Sequence, residues 1–473
     1  MEKFEKIRQE VIRKTKQTGG NSLPETKTYY VSFIALKDGL AEMVYDPIEN
    51  TTNFAIYQNG KISYKQFISN SETKFVPYSP NNNLIKSKVV LFPSKAEEYG
   101  SETELLKEIH EFIYRYADLS PFFHKLAPYY VLFSWVYDRF NEVPYLRFIG
   151  DTGSGKTRVV QTIGSLCYKP IFATGGASVS PIFRILDLFR GTLLLDEADY
   201  RFSDEKAEII KLLNCGNTPT FPVLRSESKK QKEYDPVAFQ VFGPKIFDTR
   251  GYFQDPALEN RCLTEEMGQK KLREDIPINL PNQFWQEALG IRNKLLMFRF
   301  RNYGQKKINP ELIDKNLEPR MNQIIIPLAS IIADEETRKQ LKDFSREYNN
   351  QLISDRGMRE EAEVLEEIIK LAKEGEPSMQ EIAEAMNERC GYNDLHYRGK
   401  KYTARGIGEI VRKKLKLLPK RKGGRGTWII PFTEAEKIAR LMEKFGIKKE
   451  LEEKTEADLQ KEAEQLILEN PNL

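Results

Sequence analysis

The chain has 473 residues, 40% of them hydrophobic and 30% charged, which is enough for roughly three domains with real cores. Its 73 basic and 69 acidic residues leave a net charge of +4, so the whole-molecule charge marks no nucleic-acid or membrane partner and any basic footprint must be local. Cys167, Cys215, Cys262 and Cys390 stand far apart with no C-x-x-C pair, which argues against a disulfide framework and a zinc site. The longest apolar stretches, 126–136 and 324–332, are too short or interrupted to span a bilayer. A soluble, cytoplasmic protein with no membrane partner is the expectation.

Residues 1 to about 20 form a charged leader without the apolar centre of a signal peptide. From Thr26 to Pro93 β-branched and aromatic residues alternate between Asn, Gly and Pro punctuation, predicting a small β-rich domain within 1–100. Its strongest local signal is NFAIYQNGKISY, where Asn59-Gly60 separates two alternating runs and predicts a hairpin. Helical spacing then takes over, with Ile109, Phe112, Ile113 and Tyr116 followed by aromatics from Tyr129 to Tyr137. It predicts a buried helical connector over 101–143.

From Tyr145 strands and helices alternate: YLRFI, a helix from Lys156, PIFAT, a helix over 182–189, and TLLLDEAD. Such alternation predicts a parallel sheet covered on both faces, an α/β core over 144–280. A helix at Glu205–Asn214, a hairpin from Phe221 to Phe239, and strands at Val241–Phe247 and Cys262–Thr264 complete it. Helices over 282–302 and 317–348 then predict a helical segment, 281–350.

The segment Gly150-Asp-Thr-Gly153-Ser-Gly155-Lys156-Thr157 fits G-x-x-x-x-G-K-[ST] and lies between a predicted strand and a predicted helix. Glycines let backbone amides converge on phosphate oxygens, and the helix N-terminus favours negative charge. Gly150, Gly153, Gly155, Lys156, Thr157 and Arg158 are therefore the candidate ATP-binding residues, with Lys156 on the β- and γ-phosphates and Thr157 on Mg²⁺. About forty residues on, the apolar strand ending in Asp196-Glu197 supplies the acidic partner. Asp196 would hold Mg²⁺ through its water shell and Glu197 would polarise the attacking water.

The C-terminal part reads as three helices, Glu360–Lys373, Met379–Arg389 and Thr403–Leu415, and a two-stranded wing in LLPKRKGGRGTWII, a winged helix over 360–432. Ser378 with Glu381 forms a capping box. Arg412 on the third helix and Lys420, Arg421, Lys422 and Arg425 on the glycine-rich wing are candidate DNA contacts. The Glu- and Lys-rich tail, 433–473, reads as solvated helices.

The set ATGG, LFRGTLLLDEAD, ALENRCL and PRMNQIIIPLASI, spread over 145–343, resembles AAA+ ATPases carried by plasmids, phages and integrated elements. Those are related in layout to superfamily 3 and minichromosome-maintenance replicative helicases. The resemblance implies an AAA+ P-loop core with a helical lid, flanked by the β-rich domain and the winged helix. It further implies ATP and Mg²⁺ as cofactors, DNA as partner, and a ring-shaped homo-oligomer, expected to be a hexamer. The implied activity is that of a DNA helicase or translocase in the replication of a mobile element.

Position by position, the resemblance makes Arg261 an arginine finger toward a neighbouring subunit's nucleotide, a contact worth about 10³ to 10⁵ in rate. Arg320 matches the second sensor. At the end of the fourth core strand, where many relatives carry Asn, this chain offers Asp248 or Thr249; Thr249 is taken as the catalytic candidate, and Arg250 rivals Arg261 as the finger. Lys229, Lys230 and Lys232 fall at the tip of what resembles a pre-sensor hairpin that tracks DNA in the ring channel. A DNA-binding initiator or regulator switched by ATP, without processive unwinding, is the second reading. A protein remodeller is the third, and the basic hairpin tip argues against it.

Overall fold

The computed structural model describes residues 27–70, 72–198, 203–226, 236–253, 255–268, 271–357, 360–389, 401–422 and 427–447. The chain divides into two compact units, 1–343 and 344–473.

The first unit opens with strands β1 (Lys27–Tyr30), β2 (Phe33–Leu36), β3 (Gly39–Asp46), β4 (Thr51–Gln58), β5 (Lys61–Lys65), β6 (Ile68–Ser69) and β7 (Thr73–Val76). β2 to β5 form an antiparallel meander, while β1 and β6 flank β7 in a second sheet in which β1 runs parallel to β7. The hairpin of β4 and β5 turns on Asn59 and Gly60, with φ of 50° and 74°. Two left-handed residues are what a two-residue turn needs to match strand twist.

Short helix α1 (Asn83–Lys86) leads to α2 (Glu102–Tyr116) and α3 (Pro121–Ser134). Ser101 and Glu104 form a capping box at the start of α2, a signal missed in the sequence. The chain just before this, at Val90, bridges to the edge strand β9 (Ile171–Thr174), so the core sheet's edge is covered.

The core is mixed α/β with a five-stranded sheet, all parallel. Its remaining strands are β8 (Tyr145–Ile149), β10 (Leu193–Asp196), β13 (Lys245–Thr249) and β14 (Cys262–Glu266), in the order β14-β8-β13-β10-β9. Every residue of β8 and β13 is buried, as strands covered on both faces require. Helices α4 (Lys156–Gly164), α5 (Val179–Phe189), α6 (Ser203–Cys215) and α7 (Pro256–Glu259) connect the strands, and the antiparallel pair β11 (Val223–Ser226) and β12 (Pro236–Phe239) projects between α6 and β13. Because β8 lies between β13 and β14, the strand order reverses beside it. Crevices at such switch points, beyond the carboxyl ends of the strands, are where open α/β sheets bind ligands.

β13 begins at Lys245, fully buried, whose Nζ donates to the carbonyls of Gly216, Val241 and Gly243 at 3.0, 3.0 and 2.9 Å. The side chain thereby ties the end of α6 to the loop that enters β13.

Helices α8 (Asn282–Asn302), α9 (Pro319–Ala329) and α10 (Glu335–Gly357) follow. A buried ionic cluster ties α8 to the N-terminal meander. Glu42 on β3 accepts from Arg299 Nε at 2.6 Å and from Tyr168 Oη at 2.9 and 3.0 Å, and Lys169 Nζ stands 3.0 Å away. Arg299 forks onto Asp138 at 2.9 and 2.8 Å, and Lys169 donates to the Ser32 carbonyl at 2.9 Å. Two acids and two bases balance, and each charge is satisfied by groups from another segment of the chain.

The second unit contains α11 (Glu360–Leu371), α12 (Met379–Arg389), α13 (Ala404–Glu409), the short pair β15 (Lys420–Arg421) and β16 (Trp428–Ile429), and α14 (Ala435–Phe445). Leu365, Ile368, Ile382, Met386, Val411 and Ile430 are at its centre. The capping box read in the sequence is present, with Glu381 N donating to Ser378 Oγ at 3.2 Å and Ser378 N to the Glu381 carboxylate at 2.7 Å. Over 433–447 the tail differs from the expectation of a solvated segment; the rest of it lies outside the described residues. α14 packs Ile438, Leu441 and Phe445 onto this core, because its apolar residues recur at helical spacing within a charged composition.

No helix among the described residues is long and apolar enough to cross a membrane.

Candidate nucleotide site and its acidic partners

The loop from Gly150 to Gly155 joins the carboxyl end of β8 to α4. Gly153 and Gly155 have φ of 86° and 87°, left-handed values that other residues adopt only under strain. A side chain at Gly150 would meet the Met267 carbonyl at 2.7 Å and Ser154 Oγ at 2.8 Å, so the segment after β14 presses on the loop where only glycine fits. The N-cap of α4 is Gly155, with no side chain to satisfy the first-turn amides and no acid in that turn. Ser154 Oγ is buried with no hydrogen-bond partner among the described residues. Unfilled amides and an orphaned hydroxyl around a glycine cradle fit a phosphate chain.

Lys156 Nζ arches over this loop, donating to the carbonyls of Gly150 and Asp151 at 2.7 and 2.9 Å. Thr157 Oγ1 donates to Asp196 Oδ1 at 2.8 Å, which brings the two candidate metal residues together from α4 and the end of β10. Arg158 points elsewhere: its guanidinium donates to the carbonyls of Pro277 and Ile278 at 2.8 and 2.7 Å, and so holds down the strand-to-helix connection that crosses the loop.

Glu197 follows Asp196 with φ of 54°, an uncommon conformation for a glutamate, and its side chain is exposed. Its amide donates to Asp248 Oδ1 at 2.9 Å. The turn is held on its other side by Gly175, whose amide donates to the Asp196 carbonyl at 2.7 Å and where a Cβ would lie 2.0 Å from the Glu197 carbonyl oxygen. This explains the first glycine after PIFAT, Gly175.

Asp248 is buried at the end of β13. Burial pushes its carboxyl up to about 6, against the pull of the Glu197 amide; the nearby Asp196 carboxylate raises it further and Lys156 lowers it. The sequence left Asp248 and Thr249 open and took Thr249. Adjacent residues of a strand face opposite sides, and it is Asp248 that faces the Asp196-Glu197 pair. Thr249 is fully buried and its Oγ1 has no hydrogen-bond partner among the described residues. Alternation in IFDTR showed that only one of the two could face the site, without showing which.

Arg261 lies at the other end of the sheet. Its carbonyl accepts the amide of Tyr145, the first residue of β8, about 13 Å of strand from the phosphate loop. The guanidinium donates to Asn217 Oδ1 at 2.9 Å, to Asn214 Oδ1 at 2.6 Å and to the Ala257 carbonyl. Burial, and then the charge of Arg320, lower its pKa, which places the half-buried Arg320 nearby. The structure thus groups the two sequence-derived arginines with each other and apart from the phosphate loop of their own chain. Arg250 is exposed and engaged with neighbouring groups.

Lys229, Lys230 and Lys232 lie outside the described residues; the stems β11 and β12 that carry them pair in antiparallel register from Val223–Phe239 to Ser226–Pro236. Arg412, Lys420, Arg421 and Lys422 are exposed, with the Arg421 guanidinium 5.2 Å from the Trp428 ring centroid, and Arg425 lies outside the described residues.

No protein-family model matches the chain, and no curated protein matches its sequence. Similar solved structures include the apo C-terminal region of NrS-1, at 12% identity and a TM-score of 0.37 over 82% of this chain and 95% of that one. An active helicase, SCCmec type IV Cch, is 11% identical with a TM-score of 0.34 over 86% and 99% of the two chains. A full-length MCM homolog from Methanopyrus kandleri is 12% identical with a TM-score of 0.29 over 63% and 72%. At these scores the likeness assigns neither fold family nor function.

Proposed function

We propose that this chain is an AAA+ ATPase that couples ATP hydrolysis to movement on DNA as a ring-shaped helicase or translocase. The observation that carries the ATPase reading is the convergence of Thr157, Asp196, Glu197 and Asp248 beyond the carboxyl ends of β8, β10 and β13, against a glycine loop with unfilled amides. Thr157 and Asp196 are the side chains placed to hold Mg²⁺, which when bound supplies positive charge against the phosphates. Lys156 adds its ammonium on the same side, and Glu197, held by Asp248 and Gly175, is placed to take a proton from water.

Arg261 lies at the opposite end of β8 from its own phosphate loop, with Arg320 near it, which favours action on a neighbouring subunit and hence a ring, with six members in the layout the sequence resembles. The hairpin stems β11 and β12 between α6 and β13 favour a DNA-tracking element with Lys229, Lys230 and Lys232 at its tip. Helices α8 to α10 are read as the lid. Within the second unit, helices α11 to α13 and the basic hairpin, over 360–432, are read as a winged helix contacting phosphates through Arg412, Lys420, Arg421, Lys422 and Arg425. Replication of a mobile element is the setting the sequence resemblance favours.

The test is steady-state ATPase activity with and without single- and double-stranded DNA at two salt concentrations. Stimulation by DNA that fades with salt is the expected result. Turnover indifferent to DNA overturns the motor and favours the switched initiator.

A further inference from the structure

The described part of the N-terminal region includes a small sheet whose surface the ATPase site leaves unused. Large aromatic residues of β1 and of the chain just before β6 reach solvent: Tyr30 is 58% exposed and Tyr29 40%, and Phe67, at the entry to β6, is 44% exposed. Contiguous exposed rings on a polar background mark interaction surfaces. The register sorts them. Tyr30 pairs with Val76 and Ser69 with Lys74, so Tyr30, Lys74 and the residue two before Ser69, Phe67, share one face. Lys74 Nζ lies 4.2 Å from the Phe67 ring centroid, and Tyr30 stacks on Tyr78 at 6.4 Å. Phe67 and Tyr30 thus stand on one face on either side of Val76, about 10 Å apart across two strand spacings, with the Lys74 ammonium beside Phe67.

Lys74 is the basic residue that the register sets on this face; Lys27, three before Tyr30, lies on the opposite one, and Lys61 and Lys65 belong to β5 of the other sheet. Rings that stack on bases, with an ammonium beside them for the backbone, are the chemistry of a platform for unpaired nucleotides. Every base has a π-face, so such a platform needs no sequence preference. We infer that this face of the β1-β7-β6 sheet binds single-stranded nucleic acid, as a contact separate from the pre-sensor hairpin and the basic wing. It deepens the DNA-motor reading and rests on it for the choice of DNA as ligand.

The test is fluorescence anisotropy of the full chain with labelled oligodeoxythymidine over a salt series, beside ATPase activity without DNA. The Tyr30→Ala/Phe67→Ala double variant is expected to bind at least about tenfold more weakly, with DNA-free turnover unchanged. Lys74→Ala is expected to lower the slope of log affinity against log salt by about 0.7, one phosphate contact to a single strand. If the double alanine variant loses DNA-free turnover, Tyr30→Leu/Phe67→Leu keeps apolar bulk without the π-faces and decides the matter by the same tenfold criterion. Wild-type binding that all variants reproduce overturns the platform alone and gives the face to a protein partner. A wild-type chain that hydrolyses ATP yet binds no single strand overturns the platform, while the DNA-motor reading then stands or falls on stimulation of turnover by double-stranded DNA.

Discussion

The carboxylate of Asp248 accepts the backbone amide of Glu197 at 2.9 Å, so a side chain on one strand sets the turn that carries the candidate base at the end of the next. A left-handed residue other than glycine costs about 1 kcal/mol, and this bond offsets it. Asp248→Ala is expected to lower kcat by about 100-fold while leaving ATP affinity within about threefold, as loss of preorganisation does. Asp248→Asn keeps an acceptor for the amide and is expected to recover most of the rate. Thr249→Val is the control: removing a buried hydroxyl that has no partner should leave turnover intact and leave the melting temperature equal or slightly higher. A large kcat loss in Thr249→Val with Asp248→Ala unaffected would restore Thr249 as the catalytic candidate.

Lys156→Ala is expected to abolish ATP turnover, and Glu197→Gln to retain bound ATP while hydrolysing it at least about 100-fold more slowly. Filter retention of labelled ATP beside phosphate release separates the two. Full turnover in either variant removes the site assignment.

Arg261→Ala acts on the neighbour under the proposed function. In mixtures with Lys156→Ala subunits, whose own sites are dead but whose Arg261 is intact, it is expected to recover turnover that neither variant shows alone, because an intact phosphate loop then meets an intact finger across the interface. Mixed rings no more active than the two variants measured separately would show that Arg261 does not act across the interface. Arg261 also ties down Asn214 and Asn217, so the melting temperature of the variant must be measured alongside.

Lys245 gives a pH signature. Burial lowers its folded-state pKa to about 7 from 10.5, so between those values the folded chain has released a proton that the unfolded chain still holds. Its contribution to stability therefore grows as pH rises through this window, and is lost as pH falls through 7. The slope is on the order of 1 kcal/mol per pH unit. Urea unfolding of wild type and Lys245→Met at pH 7, 8 and 9 isolates the contribution as a difference, which should rise in favour of wild type. A flat difference would mean that Lys245 stays charged in the fold.

Glu42→Gln should be costly. It leaves Lys169 and Arg299 buried with Asp138 as their remaining carboxylate in the cluster, and loss of one partner in such a cluster typically removes about 3 kcal/mol or more. Thermal unfolding is expected to show the meander and the core melting together at a lower temperature. Two separated transitions in wild type would show that the cluster does not couple them.

What could be read along the chain, and what could not, divides by range. YLRFI, the Asn59-Gly60 turn and the Ser378–Glu381 box are local patterns whose physics acts within a few residues, and they appear where expected. The nearness of Thr157 and Asp196 was legible because the two motifs meet in one recognised sheet layout. Arg158 reads as part of the phosphate motif by position, yet its direction depends on carbonyls more than a hundred residues away. The same holds for Asp248 against Thr249, and for Glu42, which in the sequence is one acid in an apolar strand. α14 was misjudged for another reason: an average dominated by Glu and Lys hid a narrow apolar stripe.

The Glu42 cluster also sets a constraint in time. Glu42 and Arg299 are separated by 257 positions, so on a ribosome adding about 5–20 residues per second the carboxylate emerges roughly 10–50 seconds before its guanidinium. Until then the meander holds an acid in its interior without its full set of counter-charges, and burial disfavours that form. The nascent N-terminal region is thus committed to waiting for α8 before it can close. Fragments ending before residue 299 should come off the ribosome as clients for chaperones, whereas longer ones should not.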